Sequence, residues 1–230
     1  MNLTGEQLGV LAERCQQFRG SKAPGGYPDS LALCLVDSVQ STGVTYTSVG
    51  NVLDRYRAYR RNQHGRPEAD GTKELLKTYA DLGGSTGWVG KIGNDNKTST
   101  KAGAPLKAEA IRLAAELLDR EGITDTAKLR AAVDSPKLEK VKSEWLRIPG
   151  QSSGITWRYI LMLAGVPGVK PDRMIIRFVA AALGLSSRRV KTDFAAEAIL
   201  ATAERLTMSP TDLDHAIWDW QRRQRSRSKE

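Results

Sequence analysis

The chain has 230 residues, 40% of them hydrophobic, so it can bury one sizeable core or two smaller ones. Its 35 Lys and Arg outnumber its 26 Asp and Glu, and the net charge of +9 favours a polyanionic partner, although such a charge also serves solubility alone. No run of about 18 apolar residues exists, which excludes a membrane span, and the N-terminus lacks a signal-peptide pattern. We therefore expect a cytoplasmic protein associated with the nucleoid.

Apolar residues recur at helical intervals along almost the whole chain, and no segment alternates as a strand would. Thr4 and Gln7 have the spacing of a capping box at the start of a first helix. Cys15 and Cys34 lie among apolar residues and are expected to be buried thiols. Residues 83–103 are rich in Gly and are predicted to form the longest unstructured segment. Five further helices are expected in this half of the chain: 28–43, one around 49–56, 70–82, 107–120 and a short one after 124.

The second half of the chain predicts a pair of helices joined by a tight turn. The first carries Leu138, Val141, Trp145 and Ile148 on one face, and the second runs over about 154–164. Further helices are expected at 172–183, at 192–206, and from a Ser209 cap with Asp212 as the capping-box acid.

The turn between the paired helices is typical of a motif that grips DNA. It places the backbone N–H groups of Gly150, Ser152 and Gly154 near the start of the second helix, where the helix dipole favours an anion such as phosphate. Asp172 then opens the next helix after a loop rich in Pro and Gly. An isolated Asp after Pro is most often a helix cap, but beside this turn it is also a candidate catalytic acid.

These residues resemble the helix-hairpin-helix DNA glycosylases. Ile148-Pro149-Gly150 is similar to the family's Leu-Pro-Gly, and the segment 172–178 resembles its Asp-Thr-His-Val-x-Arg-Val, including Arg177. Members that form a Schiff base carry a Lys where this chain has Gly154, so the chain resembles the monofunctional branch. Ser152 and Trp157 depart from the family pattern, and the four closely spaced Cys of an iron-sulfur cluster are missing.

The resemblance implies an all-α fold of two helical lobes, with a helix-hairpin-helix motif and an active-site cleft between the lobes. It implies a six-helix lobe at 36–165 that carries the hairpin at 149–154, and a second lobe built from 1–35 and 166–221. The remaining residues, 222–230, are basic and are expected to form a disordered tail attracted to nucleic acid. The implied protein is a monomer that binds double-stranded DNA and no membrane. No cofactor is implied, and a monovalent cation at the hairpin turn is the one ion left open.

In the reaction that the resemblance implies, a base is flipped out of DNA and its N-glycosidic bond is hydrolysed. Asp172 would stabilise the positive charge that develops on the sugar and orient the attacking water. The residues expected to contact DNA are Gln40, Gly150, Gln151, Ser152, Gly154 and Arg177. Gln40, in Ser38-Val39-Gln40, resembles the family residue that fills the gap left by the flipped base.

Three aromatic residues are candidates for the base pocket, namely Tyr46, Trp157 and Tyr159, although an aromatic residue on a helix more often packs in the core. A polar segment carries four spaced lysines and suits either phosphate contacts or a solvated loop; they are Lys91, Lys97, Lys101 and Lys107. With two His residues in the chain, no His-rich metal site is expected.

Two functions from different classes stay open. The first is a monofunctional DNA N-glycosylase that leaves an abasic site in base-excision repair, with defence against phage DNA carrying modified bases as a minority hypothesis. The second is a non-catalytic helix-hairpin-helix module that binds DNA while Asp172 merely caps a helix. A lyase that uses a Lys elsewhere is a third, weaker hypothesis. The sequence does not indicate which base is removed.

Overall fold

A computed structural model describes the backbone of residues 2–227 and the side chains of residues 2–224. Over these residues the fold is all-α, as the periodicity predicts, with one isolated bridge between Lys97 and Leu106 in place of any sheet. The helices, in chain order, are α1 (Gly5–Cys15), α2 (Leu31–Gln40), α3 (Tyr46–Asn62), α4 (Thr72–Asp81), α5 (Ser85–Lys91), α6 (Lys107–Arg120), α7 (Thr126–Ala131), α8 (Pro136–Trp145), α9 (Ile155–Leu163), α10 (Arg173–Ala182), α11 (Thr192–Leu206) and α12 (Pro210–Arg227).

Local sequence accounts for several helix ends. The capping box predicted for α1 is present, because Thr4 Oγ1 accepts from the Gln7 N–H at 3.2 Å and Gln7 Oε1 accepts from the Thr4 N–H at 3.1 Å. Ser135 caps α8 and is followed by Pro136 at the first helical position, where a missing N–H costs nothing. Both Cys residues are free and buried, as expected.

The prediction that 83–103 is unstructured is wrong for its first part, which forms α5. The Trp88 ring is fully buried and stacks on Tyr79, with ring centroids 5.1 Å apart and planes at 4°. Packing of this one large side chain therefore overrides the weak helix propensity of the glycines around it.

The basic tail expected at 222–230 is also corrected, because α12 continues to Arg227. Asp219 accepts from the guanidinium groups of Arg222 and Arg223, three and four residues along the same helix, and such pairs support helical structure. Residues 228–230 lie outside the described part of the chain. Asp212 also differs from its predicted capping role, since its carboxylate accepts from the Ala23 N–H and from Lys22 Nζ, both at 2.9 Å.

The chain divides into two compact units. The larger unit, residues 25–166, has α2 at its centre, with α3, α4, α6 and α9 packed around it. The first boundary falls after Pro24 and not near Val36, because every residue of α2 is buried in the core of this unit.

The smaller unit joins residues 1–24 to the chain from Pro167 onward and packs α1, α10, α11 and α12 together. Phe18, Phe178 and Trp220 form an aromatic cluster in its core. Among the described residues of either unit, no helix has the length and apolar character that crossing a membrane requires.

Candidate functional site

The hairpin turn lies between α8 and α9 and is shaped by two left-handed glycines, Gly150 (φ 79°) and Gly154 (φ 71°). The Gln151 N–H donates to the Ile148 carbonyl and the Gly154 N–H donates to the Gln151 carbonyl, each at 3.0 Å. Gly154 is therefore not the free donor that the sequence predicts. Gly150 and Ser152 are exposed, and their N–H groups donate to no acceptor in the described chain. These two groups lie close to the start of α9, where an anion is favoured.

A chain of hydrogen bonds between buried side chains, the Gln151 relay, fixes the shape of the turn. Trp145 Nε1 donates to Thr156 Oγ1 at 3.1 Å, and the Thr156 hydroxyl donates to Gln151 Oε1 at 2.6 Å. Gln151 Nε2 donates in turn to the Pro149 carbonyl at 3.1 Å. The Gln151 side chain is buried and satisfied within the hairpin, so its predicted contact with DNA is wrong. Its role is to hold both helices and the turn in one arrangement.

Two further predicted site residues are corrected by their burial. Trp157 is 4% exposed and packs edge-on against Trp145, with ring centroids 5.4 Å apart, so it belongs to the core and not to a base pocket. Gln40 is 0% exposed, whereas a residue that fills a gap in DNA must project from the surface. Both polar atoms of the Gln40 amide lack a partner in the described chain.

The end of α2, next to Gln40, is held by a buried lysine. Lys107 Nζ donates to the Gln40 carbonyl at 2.9 Å and to the Thr42 carbonyl at 2.5 Å. Burial lowers the pKa of Lys107 to about 8. Lys107 therefore donates to carbonyls that have no partner within the helix. Its ammonium group is buried, unlike those of the exposed lysines that precede it in the polar segment.

The other two predicted pocket residues, Tyr46 and Tyr159, come together around a carboxylate that the prediction missed. Asp37 is buried on α2 and accepts from the Tyr27 hydroxyl at 3.0 Å and from the Ser41 hydroxyl at 2.6 Å. Burial raises the pKa of Tyr159, and electrostatic interactions with Asp37, Tyr27 and Tyr46 raise it further. A hydrogen bond with Ser41 lowers it. Tyr46 is 60% exposed, so this cluster presents an aromatic ring to solvent.

Asp172 lies in the smaller unit and caps α10. Its Oδ1 accepts from the Met174 N–H at 2.7 Å and from the Ile175 N–H at 3.4 Å. The capping role that the sequence allows is therefore present. Both bonds use the same oxygen, and Oδ2 accepts no hydrogen bond within the described chain. The side chain is half-buried, and Arg177 is exposed on the same helix.

The segment that leads to Asp172 is held by the first turns of α12. The Lys170 N–H donates to Asp214 Oδ1 at 2.9 Å, and the Gly168 N–H donates to Thr211 Oγ1 at 3.1 Å. Asp214 is 7% exposed. Burial raises the pKa of Asp214 to about 8, the Lys170 N–H opposes this shift, and the charge of Asp172 adds to it. This shift favours the neutral form of Asp214 near pH 7.

The chain belongs to a protein family described as a domain of unknown function, DUF8548, because the family model matches residues 9–222. No curated protein and no solved structure matches the chain. Among the described residues, no group of three or more His, Cys, Asp or Glu side chains is placed to hold a metal ion.

Proposed function

We propose that this protein is a monofunctional DNA N-glycosylase, which binds the DNA backbone through its hairpin turn and uses Asp172 to hydrolyse the N-glycosidic bond of a flipped base. The proposal rests mainly on the turn. Gly150 and Ser152 are exposed, their N–H groups have no partner in the described chain, and both precede α9 in a turn that the Gln151 side chain helps to fix. Preorganised donors of this kind suit a phosphate oxygen.

The chemistry follows from the free oxygen of Asp172. When the bond between the base and C1′ breaks, its electron pair leaves with the base and the sugar becomes an oxocarbenium-like cation. The Asp172 carboxylate stabilises that cation, and Oδ2 can accept a proton from the water whose oxygen bonds to C1′. Oδ1 stays on the N–H groups of α10 and holds the carboxylate in place. Gly154 stands where some helix-hairpin-helix DNA glycosylases carry a Schiff-base lysine, so water is the expected nucleophile.

The cluster of Tyr46, Tyr159 and Asp37 is the best candidate for reading the base. An exposed aromatic ring provides a stacking surface for any flipped base. The buried Asp37 carboxylate, held by Tyr27 and Ser41, adds a fixed polar group to this cluster. This chemistry suits base-excision repair, with the removal of modified bases from phage DNA as the minority hypothesis.

The test measures free bases, by mass spectrometry, after incubation with duplexes that hold alkylated, deaminated, oxidised or phage-type modified bases. Wild type is compared with Asp172→Asn, because Asn retains helix capping and removes the charge. Asp125→Asn is the matched control, since Asp125 caps α7 in the same way. A glycosylase releases one base with wild type and the control, and at a rate lower by about a hundredfold or more with Asp172→Asn.

A non-catalytic DNA-binding module is the second candidate, and the capping bonds of Asp172 favour it. Two N–H groups of α10 account for the presence of an Asp at this position without any chemistry. On this alternative, wild type and Asp172→Asn bind duplex DNA equally well and neither releases a base from any duplex. That result would refute the glycosylase proposal.

A further inference from the structure

We propose that residues 94–106, the lysine loop, form a second phosphate-binding element beside the hairpin turn, with Lys97 and Lys101 contacting the backbone next to the phosphates that the turn holds. This inference rests on the proposed function, since it assigns further DNA contacts to the same protein. It extends the binding surface to a part of the chain that carries no hairpin motif.

The lysine loop has a defined backbone. Lys97 bridges to Leu106, and the Thr98 N–H donates to the Pro105 carbonyl at 2.9 Å. The Lys107 N–H donates to the Asn96 carbonyl at 2.8 Å, so the loop closes directly onto α6. Since Lys107 is anchored by its own buried ammonium group, the base of the loop is tied to the end of α2 as well. The exposed tip, residues 99–103, is presented from this fixed base.

The base of the lysine loop lies against the hairpin turn itself. A Cβ atom added to Gly150 would lie 2.7 Å from Thr98 Cβ and 2.9 Å from the Thr98 carbonyl oxygen. The backbones of the loop and the turn therefore touch at the residue that carries one of the two unpartnered N–H groups. An anion bound at this N–H lies next to Thr98, whose neighbour along the chain is Lys97.

The charges of the lysine loop are available to a ligand. Lys97 and Lys101 are exposed, and neither ammonium group makes an ion pair within the described chain. One acid, Asp95, lies in the loop and is exposed to water. Two unpaired cations in a loop that touches the hairpin turn suit a nucleic-acid backbone, because contacts between lysines and phosphates gain from counterion release.

The experiment measures Kd for a fluorescent duplex by anisotropy over a range of NaCl concentrations. Wild type is compared with the double variant Lys97→Ala/Lys101→Ala. Each phosphate contact contributes about 0.9 to the slope of log Kd against log salt. We expect the variant to lose about 1.8 from that slope and to bind more weakly at low salt, to a similar extent for every duplex sequence.

The matched control is Lys73→Ala/Lys137→Ala, which removes the same charge from two exposed lysines of the same unit. Both lysines lie near the segment 122–124. The Thr72 N–H, next to Lys73 in the chain, donates to the Thr124 carbonyl, and Lys137 Nζ lies 4.0 Å from a Cβ added to Gly122. We expect this control to keep the wild-type slope. Equal losses of slope in both double variants would show an effect of net charge and would overturn the inference.

The outcomes separate this inference from the proposed function. If wild type binds duplex DNA and releases a base while the loop variant retains the full slope, the lysine loop is no DNA contact and the glycosylase proposal stands. If wild type releases no base but the loop variant alone loses slope, the loop inference stands and the enzyme proposal fails. If wild type shows no salt-dependent binding to duplex DNA, both are refuted.

Discussion

Asp214→Asn tests the most unusual electrostatic feature of the smaller unit. The carboxyl group is buried, and its one hydrogen bond in the described chain comes from the Lys170 N–H at 2.9 Å. Asn keeps an oxygen in the same place, so the variant retains that bond and removes the ionisable group. The comparison therefore isolates the effect of protonation from that of geometry.

The sign follows from the raised pKa. Below the ordinary value of 3.8, Asp214 is protonated in both the folded and the unfolded states and has no effect on the pH dependence of stability. Between 3.8 and about 8, the unfolded chain ionises and the folded chain stays neutral, so wild type loses stability relative to the variant as the pH rises. At about 1.4 kcal/mol per pH unit, the difference reaches on the order of 4 kcal/mol at pH 7 and levels off above the folded-state pKa.

Urea unfolding of both proteins at several pH values between about 4 and 8 measures this difference in unfolding free energy. The other titrating groups contribute equally to both proteins, so their contributions cancel in the difference. The Asp172 charge contributes to the raised pKa, so the same comparison in an Asp172→Asn background should give a smaller difference. Equal stabilities of wild type and Asp214→Asn at every pH would refute the reasoning. Asp214→Ala, in contrast, leaves the Lys170 N–H without an acceptor, and we expect it to destabilise the fold by about 1–3 kcal/mol.

Two further predictions concern the larger unit. Gly150→Ala forces a Cβ against Thr98 at a left-handed backbone position, so it should destabilise the protein by about 1–2 kcal/mol in urea unfolding and raise the Kd for duplex DNA. Unchanged DNA binding would refute the proposed role of the turn as a phosphate contact. Tyr46→Ala should change stability by less than about 0.5 kcal/mol because the ring is largely exposed, yet it should slow base release, with Tyr46→Phe retaining the rate. Equal rates for all three proteins would remove Tyr46 from the base site.

Features set by neighbouring residues were predictable from the sequence. The bounds expected for α6 and α11 agree with the structure, and the capping box of Thr4 and Gln7 is present. Helical periodicity and capping depend on residues within about one turn of each other, which the sequence displays directly. The hairpin helices were predictable for the same reason, because the spacing of their apolar residues and the Pro-Gly turn are contiguous.

Features set by residues far apart in the chain were not predictable in this way. The helical conformation of α5 depends on Trp88 stacking on Tyr79, and the boundary near Gly25 depends on which core receives α2. Burial of Gln40 follows from the packing of α2 on every side.

The two carboxylates that the prediction missed differ in how visible they were. Asp37 is the one acidic residue of α2, whose sequence LALCLVDSVQ is apolar enough to predict a helix buried on all sides. A carboxylate in such a helix must be hydrogen-bonded or neutral, so the sequence contained a signal for a buried polar site at Asp37 that the prediction did not use. Asp214 lies in TDLDHAIWDW among other acids, where a solvated helix face is the ordinary expectation. Its hydrogen-bond partner in the fold is the Lys170 N–H, 44 residues away. Any residue except proline offers a backbone N–H, so the sequence cannot indicate which one Asp214 will meet.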